Sequence, residues 1–312
     1  MEQVEGKVAF ITGGASGIGF GMAQAFGEAG MKLVIADVHA ERRETAVGAL
    51  SESGFACHGV DLDVRSAASW KAAADDAEAR FGAVDILCNN AGVGQGRRTD
   101  GTRLLLEATD EELFRLVFDI NVMGPFLGVR TMVPRIVARG AAGHIVNTGS
   151  MAGLIAPPGL ATYSASKYAV TALSESLRAE LAARNIGVSL LCPGGVQSSL
   201  DTTSAERRNE QLGSGFDREA GFLSNRPINP EMMEPVSVGR RVLRAIRDND
   251  FYIFTHPEYA GLIEERYAAI RHDIGSSAQD GYVDPDWLLA ASRNPAYSED
   301  DRGDATAGLS AR

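Results

Sequence analysis

Short apolar, β-rich runs alternate along this chain with longer stretches in which apolar residues recur at i, i+3 and i+4. The runs Lys7–Thr12, Lys32–Ala36, Ala56–Leu62, Val84–Asn89, His144–Thr148, Val188–Cys192 and Phe251–Thr255 predict seven strands. Between them, Gly19–Ala29, Ala40–Ser51, Ser66–Phe81, Asp110–Arg139 and Thr162–Arg184 are too long and too regularly patterned for loops and predict helices. Strands alternating with helices imply a parallel sheet covered by helices on both faces.

Right-handed crossovers make a doubly wound, three-layer Rossmann-type α/β fold the most economical topology, with any ligand outside the carboxyl ends of the strands. Two stretches break the pattern. Ser198–Pro235 is polar and poor in periodicity, and nearly forty such residues inside a compact domain suggest a lid or binding insertion. Glu299–Arg312 has the look of a frayed tail. No Pro/Ser-rich linker or internal repeat divides the rest. The expected organisation is one catalytic domain over 1–298, with a lid-like insertion at 198–235, a helical C-terminal extension at 257–298 that includes the pattern Ala260–Asp273, and a flexible tail at 299–312.

Composition narrows the class of partner. The 30 Lys+Arg against 41 Asp+Glu leave a net charge of −11, without the clustered basic residues that a nucleic-acid or anionic-membrane surface needs. No uninterrupted apolar run approaches the ~18 residues of a membrane span, and Met1-Glu2-Gln3 lacks the basic start of a signal peptide. A cytoplasmic protein with a small-molecule partner is expected. Cys57, Cys88 and Cys192 are odd in number, widely spaced and set in apolar runs, so they read as buried thiols. Without H-x-x-x-H or C-x-x-C spacing, no metal is assigned. Glycine alone departs from the average, at 35 of 312 residues against the usual ~7%.

Some of that glycine is concentrated where the first predicted strand meets the first helix, in Thr12-Gly13-Gly14-Ala15-Ser16-Gly17-Ile18-Gly19. Gly13 permits a tight turn, Gly17 lets the main chain approach a phosphate, and Gly19 allows close helix packing, while the helix N-terminus offers unpaired N–H groups to an anion. A tight structural turn would use the same residues. Asp37 ends the second strand 18 residues after Gly19, near the ~20 expected of a ribose-binding carboxylate. It could accept from both adenosine ribose hydroxyls and would repel a 2′-phosphate, and no Arg or Lys stands in the turn or directly after Asp37. NAD is therefore favoured over NADP, with helix capping the alternative role for Asp37.

Tyr163-Ser164-Ala165-Ser166-Lys167 places a tyrosine and a lysine four apart, on one face of a predicted helix. A phenol with a pKa near ~10 is no base at neutral pH, but an adjacent ammonium lowers it by about 1–3 units. Thirteen residues earlier, Ser150 follows a predicted strand at the carboxyl edge of the sheet.

With these residues the chain resembles the single-domain short-chain dehydrogenase/reductase family. The resemblance covers roughly residues 5 to 200 and is carried by the glycine turn, Asp63-Val64, Asn89-Asn90-Ala91-Gly92, Asn121, Ser150, Tyr163/Lys167 and Pro193-Gly194, in family order. It implies Tyr163 as general acid/base, Ser150 as polariser of the reacting oxygen, and Lys167 as ligand of the nicotinamide ribose and modifier of Tyr163. Asn121, inside a predicted helix, matches the position whose main-chain carbonyl holds a water linked to Lys167. Asp63 and Val64 match adenine contacts. Asn90, Ala91 and Gly92 match the segment beside the adenosine ribose, and Pro193, Gly194, Val196 and Ser198 match the nicotinamide side. Gly13, Ser16, Gly17, Ile18, Gly19 and Asp37 complete the implied NAD site. The implied reaction is hydride transfer between NAD(H) and a secondary alcohol or ketone, in a homodimer or homotetramer.

Phe251–Tyr259 and the helical pattern after it, the long Ser198–Pro235 insertion, the Phe10–Gly21 turn and Met132-Val133-Pro134-Arg135 are similar to those of bacterial dehydrogenases acting on the benzylic alcohol of lignin-derived β-aryl ethers. That similarity implies an aromatic or bulky substrate. Leu200, Phe216, Phe222, Leu223, Met232 and Met233 supply apolar surface for closing over one, or for packing the insertion onto its own domain. Steroid and other small secondary alcohols, and a nucleotide-sensing protein of the same fold, are the competing readings. His256, before a proline at a strand end, reads as a structural hydrogen-bonder.

Overall fold

All seven predicted strands form, and they pair in parallel in one sheet of order β3-β2-β1-β4-β5-β6-β7. They are β1 Val8–Thr12, β2 Lys32–Asp37, β3 Cys57–Asp61, β4 Ile86–Asn89, β5 Gly143–Thr148, β6 Ile186–Cys192 and β7 Tyr252–Phe254. The named α-helices among the described residues are α1 Gly17–Glu28, α2 Ala40–Glu52, α3 Ala67–Phe81, α4 Glu111–Phe118, α5 Gly124–Arg139, α6 Ala161–Leu181, α7 Leu200–Leu212, α8 Pro235–Asp248 and α9 Ala260–Ser276. The computed structural model describes residues 1–96, 104–198, 200–212 and 231–276, together with Asp286, Leu289, Arg293, Asn294 and Tyr297. The strand order reverses between β1 and β4, which opens a crevice at the carboxyl ends of these two strands.

The period of two in a strand divides the buried residues between two cores. Phe10, Val34, Leu87 and Ile145 face the layer of α3, α5 and α6, where Trp70 stacks on Phe10 at 5.7 Å and donates its indole N–H to the Val64 carbonyl at 3.0 Å. Ile11, Ile35, Cys88 and Val146 face the layer of α1 and α8. There two glycines remove the side chains that would hold the helices apart. A Cβ on Gly21 would lie 2.2 Å from the Pro235 carbonyl carbon, and one on Gly239 would lie 2.3 Å from the Gly21 carbonyl oxygen. Part of the glycine excess is thus spent on helix packing rather than on a ligand.

Four expectations change. The single helix expected over Asp110–Arg139 is α4 and α5 joined by a π-turn, Asp119–Met123, in which the Gly124 N–H bonds to the Asp119 carbonyl. Pro125 has no N–H to give the Asn121 carbonyl four residues back, so Asn121 lies in the turn and not in a regular helix. The stretch Ser198–Pro235 is not without regular structure: it contains α7, and α8 begins at its end. The buried positions of α7 include Ser204, Ala205 and Arg208, a face too polar to register as an apolar stripe. Its two ends meet, since Val196 bridges Met233 and Gln197 Nε2 donates to the Met232 carbonyl at 2.7 Å. Phe216, Phe222, Leu223 and the tail 299–312 lie outside the described residues. Cys88 and Cys192 are buried, but Cys57 is only partly so. Finally, Glu111–Arg139 is long and apolar enough to cross a bilayer by length and composition, which a search for uninterrupted apolar runs overlooks; in the fold Leu113, Leu116, Leu127 and Met132 of this stretch are buried in the core, as in any core helix.

Candidate active site

A cleft of about 740 Å³ lies over the carboxyl ends of the central strands. This is within the range of cofactor and ligand sites. Its walls include every predicted site residue except Gly19 and Asn121, which support it from behind.

One half begins at the glycine turn. Gly13 and Gly17 both have positive φ, +61° and +51°, which glycine adopts without steric cost. A Cβ on Gly19 would meet the Gly13 carbonyl oxygen at 2.2 Å, so this glycine seats α1 against the turn. Ser16, Gly17 and Ile18, at the start of α1, present the N-terminus of the helix to the cleft. The Asp37 carboxylate accepts from the backbone N–H of Ala15 at 3.3 Å and of His39 at 3.1 Å. It is therefore fixed to the rim of the turn and does not cap the first turn of α2, whose N-cap position is His39. Asp63 faces the cleft as well, but its carboxylate is shared with Arg65 at 2.6 Å and Arg207 of α7 at 3.2 Å. Burial pulls its carboxyl upward, and the hydrogen bonds and charge of Arg65, with the charge of Arg207, overcome that and hold it below the usual range. Arg42 lines the same wall and pairs with Glu206 of α7.

The centre is tied by short polar links. Thr12 Oγ1 accepts from the backbone N–H of Asn90 at 2.9 Å and of Ala91 at 3.0 Å. Asn90 Nδ2 donates back to the Thr12 carbonyl at 3.1 Å, and its Oδ1 accepts from Thr148 Oγ1. This braces the ends of β1, β4 and β5 around the crevice. On the far side, Gly194 N–H donates to Thr255 Oγ1 at 3.0 Å, and that hydroxyl lies 2.6 Å from His256 Nδ1. His256 is the hydrogen-bonder expected of it, holding the turn that carries Pro193, Gly194 and Val196 into the cleft wall.

Ser150, Tyr163 and Lys167 come together in the other half. Ser150 stands just after β5, where its Oγ accepts from the Ala152 N–H at 3.1 Å, leaving the hydroxyl proton to be donated toward the cleft. Lys167 is buried, at 4% exposure, and its Nζ donates to the Thr148 carbonyl at 2.8 Å. Desolvation lowers its pKa to about 8. The same ammonium sits 5.7 Å from the centroid of the Tyr163 ring, close enough to favour phenolate. Asn121 holds this half from behind: Oδ1 accepts from the Val93 N–H at 2.8 Å, while Nδ2 donates to the Val93 carbonyl at 2.9 Å and to Ser166 Oγ at 3.0 Å. Ser166 Oγ in turn donates to the Tyr163 carbonyl at 2.7 Å.

A tyrosine beside a buried ammonium, a hydroxyl donor and a dinucleotide-sized cleft over a parallel sheet agree with the family comparison, in which the short chain dehydrogenase model matches residues 7–209. The chain belongs to the short-chain dehydrogenase family. Among characterised members, it is 36% identical over 282 residues to a C alpha-dehydrogenase of Sphingobium sp. strain SYK-6, covering 90% of each chain. The apo crystal structure of LigO from the same strain superposes with a TM-score of 0.73 at 38% identity, over 93% of this chain and 96% of that one. A short-chain dehydrogenase from Burkholderia phymatum, solved in complex with NAD, gives a TM-score of 0.78 at 35% identity, over 88% of this chain and 97% of that one.

Like other short-chain dehydrogenases, the protein is an oxidoreductase of alcohol and ketone groups. Three further residues of its site were not visible in the sequence. Thr148 contributes a backbone carbonyl, which no side-chain pattern reveals. Arg207 reaches Asp63 from 144 residues away. Gln95 lies behind Tyr163 with nothing in its neighbourhood to mark it.

Proposed function

We propose that the protein interconverts a bulky benzylic secondary alcohol and its ketone with NAD(H), with Tyr163 as acid/base. The observation that carries this reading is the convergence of Ser150, Tyr163 and Lys167 on the cleft whose other end holds the glycine turn and Asp37. The residues fit NAD: the α1 N-terminus faces a pyrophosphate position, and a backbone-anchored carboxylate stands at the ribose position. When bound, the nicotinamide supplies the hydride acceptor. Ser150 donates a hydrogen bond to the substrate oxygen, Tyr163 takes the hydroxyl proton during oxidation and returns it during reduction, and Lys167 holds the phenol in its basic range while binding ribose hydroxyls. The aromatic preference rests on the C alpha-dehydrogenase relative and on Val93, Leu200 and Met232 in the cleft wall.

Initial rates with NAD and NADP across benzylic, steroidal and aliphatic secondary alcohols test the reading. Benzylic alcohols with NAD are expected to be fastest; robust steroid or sugar turnover with no benzylic activity would reject the substrate class. Asp37→Ala removes the charged acceptor of the ribose hydroxyls, a net loss of about 1.5–3 kcal/mol, and is expected to raise the KM for NAD roughly 10- to 100-fold while lowering that for NADP. An unchanged KM for NAD would remove Asp37 from the cofactor site.

The oligomer belongs to the same proposal. Phe114, Met123, Phe126 and Val137 of the α4–α5 stretch and Leu173 of α6 are exposed, and we assign them to a contact between copies in a homodimer or homotetramer. Phe126→Asp is expected to shift the light-scattering mass to that of a monomer or a smaller assembly; an unchanged mass would place the contact elsewhere.

A further inference from the structure

We propose that Gln95 is a positioning residue for Tyr163, capping from a distant loop the helix that carries it. The inference rests on the acid/base role given to Tyr163 above. Helix α6 begins without a cap of its own: its N-cap residue is Leu160, which has no side-chain acceptor, and the first intrahelical bond runs from Ser164 N–H to the Leu160 carbonyl at 2.7 Å. The N–H groups of the first turn therefore need a partner from elsewhere. Gln95 Oε1 supplies it to the Tyr163 N–H itself, at 2.8 Å, across 68 residues of sequence.

The rest of the amide is committed too. Gln95 is 2% exposed, and its Nε2 donates to the Leu104 carbonyl at 3.2 Å and to the Gly159 carbonyl at 3.1 Å. One donor partner and two acceptor partners fix which end of the amide is oxygen. The side chain thus joins the loop after β4, the turn before α6 and the backbone of Tyr163. The other side of that backbone is held by Ser166, which Asn121 orients. Because Asn121 also grips Val93, the segment 93–95 holds Tyr163 at both its N–H and its carbonyl.

The choice of an amide is chemically specific. A Ser, Thr or Asn at position 160 could cap the helix but could not also tie down Leu104 and Gly159. A neutral cap leaves the helix N-terminus free to favour the phenolate, as a carboxylate cap would not. Gly94, the preceding residue, is held by α7, since its N–H donates to Ser204 Oγ at 2.9 Å and its carbonyl accepts from Arg208 Nη1 at 2.9 Å. A path of hydrogen bonds therefore runs from the insertion helix through Gly94 and Gln95 to Tyr163.

Gln95→Met keeps volume and removes every bond. It is expected to lower kcat for a benzylic alcohol that the wild type oxidises by about 10- to 100-fold, the usual cost of a reacting group displaced by an ångström. NADH binding, followed by fluorescence, is expected to hold. The acidic limb of the kcat profile is expected to move to higher pH, because a displaced phenol lies further from the Lys167 ammonium. Gln95→Asn keeps a neutral amide whose oxygen can accept from Tyr163 N–H and whose nitrogen can donate, and is expected to recover part of the lost kcat. Wild-type kcat in folded Gln95→Met, a loss that only tracks the folded fraction, an unmoved limb, or no recovery in Gln95→Asn would each overturn the proposal. Tyr163→Phe is assayed in parallel: if that variant stays active, the acid/base reading has failed, whereas a dead Tyr163→Phe beside a fully active Gln95→Met refutes the role of Gln95 alone.

Discussion

Replacing Tyr163 by Phe is expected to abolish turnover, by at least about a thousandfold in kcat, while NADH binding and folding are retained. General acid/base groups contribute about 10²–10⁴ in rate, and here the hydroxyl is the group placed with Ser150 in the same cleft wall. The substitution removes one oxygen and little else. Both backbone bonds of residue 163, from its N–H to Gln95 and to its carbonyl from Ser166, persist in the variant. The ring that lies 5.7 Å from the Lys167 ammonium persists as well. A loss of rate therefore reports the missing proton acceptor and not a misplaced helix. Ser150→Ala is a less clean test, because the Ser150 oxygen also caps the turn that follows it by accepting from Ala152 N–H. NADH fluorescence titration and a thermal melt accompany the kinetics. Near-normal turnover in a Tyr163→Phe preparation free of wild-type enzyme would remove Tyr163 from the mechanism.

The parts of this site that could be read in the sequence are those where chemistry is written locally. A strand running into Gly13, Gly17 and Gly19 leaves the backbone few alternatives, and Tyr163 and Lys167 share a face because a helix repeats every 3.6 residues. The five inner strands are equally plain, because a parallel sheet buries both of their faces and so concentrates apolar residues in short runs, whereas the edge strands β3 and β7 are only partly buried. Elements stabilised by distant partners were not. Helix α7 buries Ser204 and Arg208 beside Ala205 and is tied by Arg207 to Asp63, by Glu206 to Arg42 and by Gln211 to Arg65, so much of what it touches at the cleft rim is ionic or polar. Such links have no period. Helix α8 does carry a local signal, since Val238, Val242 and Ile246 recur at helical spacing on its buried face, but it directly follows the irregular polar stretch, which blurs its start. The π-turn had a local signal, Pro125 four residues after Asn121, whose meaning is clear only once Asn121 is seen bonding Val93 and Ser166. Gln95 had no signal at all, since a helix cap supplied from 68 residues away is invisible to any local rule.

Lys167→Met is expected to remove activity as completely as the tyrosine change, and to alter stability in a direction that reverses with pH. Holding an ammonium in the buried position of Lys167, with the Thr148 carbonyl as its protein partner in the cleft, brings its pKa from 10.5 to about 8 by desolvation. At about 1.36 kcal/mol per unit, charging it in the folded protein costs about 3 kcal/mol below pH 8. Methionine has no such cost but leaves the Thr148 carbonyl without its donor, a loss of about 1–3 kcal/mol. Near pH 7 the variant is therefore expected to equal or exceed the wild type in stability, by about 1 kcal/mol. Between pH 8 and 10.5 the unfolded wild-type chain binds a proton at Lys167 that the folded protein does not, so wild-type stability rises with pH through this window. The variant lacks that contribution, and by pH 10 the order is expected to invert. Urea midpoints of both proteins at pH 7 and pH 10 measure this, since groups common to the two cancel in the difference. A difference that does not change with pH would mean that Lys167 is not a desolvated ammonium in the free protein. A reversal together with loss of turnover would show that the enzyme gives up stability at this position to keep a positive charge beside its base.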